Sequence, residues 1–128
     1  MAARTLTVDR FFAPFPASRV LFDALMTRLS ARDVKTRVTK SEIALLVEDK
    51  VIARVWIPDR YLHGQHAPLV LTLSFGARDA SPRWKEITEV RKGRFTHHLE
   101  IASPQEIDDE VLAWIDRAIV TASEQKKR

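Results

Sequence analysis

The last third of the chain contains the run Arg94-Phe-Thr-His-His-Leu-Glu-Ile-Ala-Ser-Pro-Gln-Glu-Ile-Asp-Asp-Glu-Val-Leu-Ala-Trp-Ile-Asp-Arg-Ala118. Its first eight residues alternate, with Phe95 and Ile101 at the two ends of the apolar side. A period of two is typical of a half-buried β-strand, whose successive side chains point to opposite faces. The alternation also separates the two adjacent histidines. It predicts that His97 faces the core, where a neutral imidazole is usually structural, and that His98 faces outward.

The residues after this strand predict an amphipathic helix that starts at Ser103. Pro104 at the first helical position and Glu106 three residues after the cap complete a capping-box pattern. The acidic run at 108–110 suits the positive end of the helix dipole. We interpret the run in this way rather than as a catalytic or metal-binding cluster. The apolar residues that follow fall on one helical stripe: Ile107, Val111, Leu112, Ile115, Ala118, Ile119 and Ala122.

The upstream sequence predicts a first helix and a strand-rich middle. The predicted helix spans about 17–31, and the predicted strands span 34–38, 42–47, 51–57 and 69–75, with the weakest signal for a short strand at 87–90. Short connections favour an antiparallel meander. We therefore predict an α+β fold: an antiparallel sheet of about five strands, with an N-terminal and a C-terminal helix packed on one face.

Composition predicts one domain over residues 1–128, with an ordered core at about 7–122 and a short basic C-terminal tail. The chain has no cysteine, which excludes disulfides, a thiolate nucleophile and cysteine-ligated zinc. It shows neither an apolar signal core nor a run long enough to span a membrane, so we expect a cytoplasmic protein with no membrane partner. The net charge of +4 permits an acidic partner without requiring one.

The outward alternants of the predicted sheet form a candidate binding face. Basic side chains, an indole and hydroxyl groups on one face suit phosphate or a nucleic-acid backbone. The opposing interpretation is an ordinary solvated sheet, because acidic residues dilute the basic ones. The candidate ligand-binding residues on or near this face are Lys35, Arg37, Lys40, Arg54, Trp56, Arg83, Arg94, His97 and His98.

Other site chemistries have weak signals. The three glycines are isolated, which argues against a phosphate-cradling loop. His63 and His66 lie close together in a loop, but two imidazoles are too few for a metal site. The Lys40-Ser41 pair is more typical of a turn than of an activated nucleophile. We therefore predict no catalytic residue, no metal site and no cofactor.

Four segments together carry a family resemblance. They are Lys40-Ser-Glu-Ile-Ala-Leu, Ser81-Pro-Arg-Trp-Lys-Glu, Gly93-Arg-Phe-Thr-His-His-Leu-Glu-Ile and Ile107-Asp-Asp-Glu-Val-Leu-Ala-Trp-Ile-Asp-Arg-Ala118. As a set they resemble a bacterial domain family of unknown function, over about residues 7–122. The resemblance implies a stand-alone domain or module and supplies no activity, cofactor or catalytic residue. The inferred layout is also similar to that of small double-wing and frataxin-like proteins, an analogy that does not settle function.

Three functional hypotheses follow from these observations. The favoured one is a non-enzymatic binding module whose basic sheet face holds an acidic ligand or nucleic acid. The alternative is a small-molecule binder or enzyme with a polar pocket around His97, Arg94 and Lys40, the positions that the resemblance touches. A third is a protein–protein interaction domain that uses an exposed sheet edge. The sequence leaves the ligand and the oligomeric state open.

Overall fold

The computed structural model describes residues 6–62 and 64–126, so the predictions for His63 and for the end of the basic tail lie outside the described residues. Three α-helices and six β-strands follow one another within these described ranges. The elements are α1 (Val8–Phe12), α2 (Pro16–Arg28), β1 (Lys35–Val38), β2 (Ile43–Val47), β3 (Lys50–Trp56), β4 (Leu69–Phe75), β5 (Glu86–Arg91), β6 (Arg94–Ile101) and α3 (Asp109–Lys126).

The six strands form one antiparallel sheet in the order β1-β2-β3-β4-β6-β5. The α+β class is confirmed, but the prediction of about five strands falls one short. The extra strand is β5, which is exposed along most of its length and buries only part of Ile87. The expected meander is also wrong after β4, because β6 inserts between β4 and β5. β6 carries the buried alternants, so it occupies the interior position and leaves the polar β5 at the edge.

Cross-strand pairing separates the residues of the sheet into two faces, because directly paired residues share a side. One row lies on the face that the helices cover: Thr36, Leu45, Ala53, Leu73, His97 and Ile87. The next row lies on the opposite face, hereafter the open face: Arg37, Ala44, Arg54, Thr72, His98 and Glu86. The two histidines therefore fall on opposite faces, as their alternation predicts.

The core lies between the covered face and the helices. From α2 it takes Leu21, Phe22 and Leu25, which are almost completely buried. From α3 it takes Val111 and Ile115, and these side chains form one cluster with the inward residues of the sheet. Full burial of such side chains contributes about 1.5–3 kcal/mol each. Both helices thus stabilise one face and leave the other free for a different role.

The start of the last helix differs from the predicted capping box. Residues 104–106 form a short 3-10 turn, and Ser103 makes no capping hydrogen bond with its side chain. Glu106 accepts instead from the backbone N–H of Ala102 at 2.8 Å. The cap of α3 is Asp108, which accepts from the N–H of Val111 at 3.1 Å. The buried Ile107 between the two turns explains the shift, because it anchors the chain in the core before the helix begins.

Among the residues that the structure describes, no helix has both the length and the apolar character that crossing a membrane requires.

Candidate functional site

A cleft opens where β3 and β4 separate, and its lining joins side chains of the open face to residues of α3. Their pairing ends at Ala53 and Leu73, although β3 begins at Lys50 and β4 continues to Phe75. A register shift in the β2–β3 pairing lies in the same region, and such irregularities bend a strand. The cleft has a volume of about 240 Å³. Its lining comes from the two diverging strands, β6 and α3: Val51, Ile52, Ala53, Arg54, Thr72, Ser74, Arg94, Thr96, Ala118, Thr121 and Ala122.

Arg94 is a half-buried cation in this cleft that lacks a counter-ion. Its Nε is buried without a hydrogen-bond partner, and no carboxylate of the described chain forms an ion pair with it. By contrast, the Nε of Arg54 lies 2.7 Å from a carboxylate oxygen of Glu42. Burial lowers the pKa of Arg94 below its usual value, and the charge of Arg91 lowers it further. The positive charge of Arg91 therefore repels the Arg94 guanidinium, and no described carboxylate balances it.

The turn between β5 and β6 concentrates further positive charge beside Arg94. Arg91 and Arg94 are cross-strand partners, and Lys92 and Gly93 connect them. Gly93 has a φ of 77°, the left-handed conformation that a tight hairpin requires. Like charges directly opposite one another destabilise a strand pair. These three cations border a shallow groove of about 490 Å³ that adjoins the cleft, and among the described residues its acidic lining is the exposed Glu124.

Hydroxyl groups complete the polar lining of the cleft. Ser74 and Thr96 are cross-strand partners and line the cleft together with Arg94. Thr121 approaches from α3, where its hydroxyl donates to the carbonyl of Arg117 at 2.9 Å. A guanidinium with neighbouring hydroxyl donors is suited to a phosphate or carboxylate, since charge-assisted hydrogen bonds are the strong ones.

The other end of the open face carries a hydrogen-bonded group around Trp56. The Trp56 Nε1–H donates to the hydroxyl of Thr72 at 3.1 Å, and that oxygen lies 2.8 Å from Nδ1 of His98. Burial lowers the pKa of His98, and the charge of Glu86 opposes this shift. The lowered pKa favours the neutral imidazole. Because Thr72 already accepts from the indole, its own proton is available for Nδ1, which favours the tautomer protonated at Nε2.

A small pocket lies beside this group, hereafter the Trp56 pocket. Its volume is about 150 Å³. The walls combine apolar side chains with a few polar ones. They are Trp56, Pro58, Leu62, His66, Val70, Lys85, Glu86, His98 and Glu100. Leu62 and His66 belong to the connection between β3 and β4, so this connection covers one end of the open face.

His97 lies in the core on the other side of the sheet and is fully buried. Its Nε2 accepts from the backbone N–H of Asp79 at 3.0 Å, and its Nδ1 lies 3.1 Å from the carbonyl of Phe95. The ring packs against Trp84 with centroids 4.8 Å apart. Burial is the main cause of its lowered pKa. Both ring nitrogens are thus used within the fold, which gives His97 a structural role.

The structure does not bring Lys40 together with Arg94 and His97. Lys40 lines a groove beside α1 with Arg10 and Arg60. This groove lies beyond the start of β2, at the end of the sheet that holds Trp56. Arg94 is four residues from His98 toward the opposite end, which is about 13 Å of strand. The polar pocket of the alternative hypothesis is therefore not formed.

The remaining candidates divide between the open face and α3. Lys35 and Arg37 are exposed on the edge strand β1, and Lys35 lies 3.5 Å from Asp33. Arg83 lies away from the open face, because it bonds Asp108 and Glu110 at the start of α3. These ion pairs neutralise the positive charge of Arg83.

The site residues predicted from the sequence leave out several that line the two sites, among them Glu100, Glu86 and Thr121. Glu100 continues the outward alternation of β6, so the pattern that identified Arg94 and His98 also contained it. Glu86 is the cross-strand partner of His98, but this follows only from the position of β5. Thr121 reaches the cleft from α3, and no local pattern signals that contact. Within the described ranges, no group of three or more histidine and carboxylate side chains could hold a metal ion.

Comparison with protein-family models identifies a family. The model of the family described as Domain of unknown function (DUF5655) matches residues 8–121. No curated protein and no solved structure matches the chain. The bacterial source and the likeness to double-wing and frataxin-like proteins stay predictions. The cleft, the Trp56 pocket and the strands that carry them all fall inside the matched region, and the chain belongs to the family DUF5655.

Proposed function

We propose that this chain is a non-enzymatic binding domain that holds an acidic ligand in the cleft around Arg94. The observation that carries the proposal is the buried Nε of Arg94 without a partner, in a cleft that no described carboxylate neutralises. A buried donor without a partner costs about 1–3 kcal/mol, and more when it is charged. An anionic ligand removes this cost on binding, so the unbalanced charge supports a binding role.

The neighbours of Arg94 support an anion rather than a neutral polar ligand. Arg91 and Lys92 add positive charge at the mouth of the cleft, and Ser74 and Thr96 add hydroxyl groups within it. The sequence predicts a basic face along the sheet, and the proposed anion site occupies only one end of that face. Lys35 and Arg37 are two strands away from the cleft wall formed by β3, and Arg54 is partly neutralised by Glu42.

The test is a calorimetric titration of the protein with inorganic pyrophosphate at low and moderate salt. We expect binding that weakens as salt rises, because an exposed ion pair is screened. Arg94→Ala should weaken binding by tenfold or more, since a hydrogen bond to a charged group contributes about 1.5–3 kcal/mol.

Arg37→Ala is the matched control, because it removes the same charge from the same face at a distant strand. It should change the affinity by less than about twofold. Equal losses in the two variants would indicate a diffuse basic surface and contradict a site at Arg94. Absence of binding at low salt would overturn the proposed function.

A further inference from the structure

We infer that the acidic ligand is a short single-stranded nucleotide chain, with a phosphate at Arg94 and an amino-bearing base in the Trp56 pocket. This inference rests on the function proposed above and adds the class of ligand. Two features of the open face carry it: the chemistry of the Trp56 pocket and the distance of that pocket from the cleft.

The size and walls of the Trp56 pocket suit one heterocyclic ring system. Its volume of about 150 Å³ is well below that of a typical pocket for a drug-sized ligand, which is roughly 300–1,000 Å³. Trp56, Leu62 and Val70 supply apolar and aromatic surface. Base–aromatic stacking contributes to binding with any base, since every base has a π-face. The indole N–H is already bonded to Thr72, so Trp56 offers its ring rather than a donor.

The polar groups of the pocket select the kind of base. Its lining has two carboxylates, Glu86 and Glu100, which accept hydrogen bonds and repel phosphate, beside the single ammonium group of Lys85. The His98 ring, with its proton on Nε2, adds one donor. Cytosine and adenine present an exocyclic amino donor beside a ring-nitrogen acceptor, whereas uracil and thymine present a carbonyl in place of the amino group. The pocket is therefore complementary to an amino-bearing base.

The separation of the two sites indicates a chain rather than a single nucleotide. His98 and Arg94 are four residues apart on the same strand, which is about 13 Å. Thr72 and Ser74 of β4 and Thr96 of β6 connect the two sites along the open face. A base in the Trp56 pocket and the phosphate of a following nucleotide at Arg94 span this distance. The charge on the face changes in the same direction, from acidic at the pocket to basic at the cleft.

The experiment compares three ligands of equal charge by fluorescence titration and calorimetry. They are the 5′-phosphorylated cytosine dinucleotide, its uracil counterpart and the corresponding abasic dinucleotide, and inorganic pyrophosphate reports the cleft alone. We expect the cytosine dinucleotide to bind about tenfold more tightly than the uracil one, because the two bases differ in donor and acceptor at one edge. The abasic ligand should bind no more tightly than the uracil dinucleotide.

Variants then separate the pocket from the cleft. Glu86→Gln and Glu100→Gln together should reduce the preference for cytosine to less than about threefold and leave pyrophosphate binding unchanged, since both side chains line only the pocket. Glu89→Gln is the matched control, because Glu89 lies on the same strand but pairs with Phe95 and points to the other face. It should leave the preference for cytosine intact. Arg94→Ala should weaken the binding of every ligand.

Each outcome decides the inference. Equal affinity of the three dinucleotides, with pyrophosphate binding that depends on Arg94, would overturn the nucleotide assignment and leave the proposed function standing. Tighter binding of the uracil dinucleotide would overturn the role of the carboxylates. Failure of pyrophosphate and of all dinucleotides to bind would overturn the proposed function and this inference together.

Discussion

The arginines of the covered side and Arg94 of the cleft differ in whether a carboxylate balances their charge. On the covered side, Arg117 lies 2.8 Å from a carboxylate oxygen of Asp79, and Arg83 bonds Asp108 and Glu110. On the open side, Arg94 meets no carboxylate of the described chain and faces Arg91 instead. The side with balanced charges holds α3 and the connection before β5 in place. The unpartnered Nε of Arg94 lies in the cleft, whose other walls come from β3, β4 and α3, and this makes the cleft the candidate site.

The covered side is a closed hydrogen-bond network. Asp79 accepts from the Trp84 Nε1–H at 2.9 Å, and its own N–H donates to His97. Burial raises the pKa of the Asp79 carboxyl, but the hydrogen bonds that it accepts from Trp84, from the N–H of Ser81 and from Arg117 together hold the pKa below its ordinary value. Removing one member of such a network leaves the others unsatisfied, whereas removing Arg94 leaves no protein partner unsatisfied. The two sides should therefore respond in opposite ways to substitution.

The largest expected effect is the loss of stability in His97→Ala. The substitution opens a cavity in the core and leaves the N–H of Asp79 without its acceptor, so we expect a loss of about 2–4 kcal/mol in the free energy of unfolding. Urea denaturation followed by far-UV circular dichroism measures it. His98→Ala is the control on the open face and should cost about 1 kcal/mol, because its ring is half-buried and bonds only Thr72 among the contacts described. Equal losses would contradict the division between the faces.

Arg83→Ala should have the next largest effect. Arg83 also donates to the carbonyl of Glu106 at 2.9 Å and lies over the ring of Trp114, so it fastens the start of α3. We expect a loss of about 1–2 kcal/mol, measured by urea denaturation. Lys85→Ala, two residues away and exposed, should change stability by less than about 0.5 kcal/mol. If Arg83→Ala left the free energy of unfolding unchanged, the ion pairs on the covered side would not be structural.

Acid should destabilise the fold through both histidines. Burial holds the pKa of His97 and of His98 below the ordinary value of 6.5, so the unfolded chain binds more protons than the folded one below that pH. Stability should be fully present above about pH 6.5 and fall as the pH drops toward the folded-state values. Urea denaturation at pH 7.5, 6.0 and 5.0 measures the slope. His98→Gln should reduce it and leave the contribution of His97, and an unchanged slope would contradict the burial of His98.

The smallest expected effect on stability is that of Arg94→Ala. Because the substitution removes an unpartnered buried donor and a like-charge contact with Arg91, stability should stay constant or rise by up to about 0.5–1 kcal/mol. Thermal denaturation in a buffer without phosphate measures it. A loss of more than about 1 kcal/mol would mean that Arg94 has a structural role like that of Arg83, and the contrast between the two sides would fail.

Much of the open face could be predicted from the sequence, because alternation in a strand is a local property. Arg54, Trp56, Arg94 and His98 all lie on the face that their spacing indicates. The edge strand β5 could not be predicted as firmly, since an exposed polar strand has no buried residues to produce a period of two. The start of α3 was misplaced because a capping pattern at Ser103 was overridden by the burial of Ile107.

The sequence by itself determined the fold class, the separation of His97 from His98 and the family. Each of these depends on periodicity or on short motifs, which the chain carries locally. Only the tertiary structure decided which cations have partners. Arg83 finds its carboxylates on α3, and Arg117 finds Asp79 before β5, through contacts between segments far apart in the sequence. The composition counts all of these cations alike. The packing of α3 against one face gives Arg83 and Arg117 their carboxylate partners, whereas the charge of Arg94 in the cleft stays unbalanced.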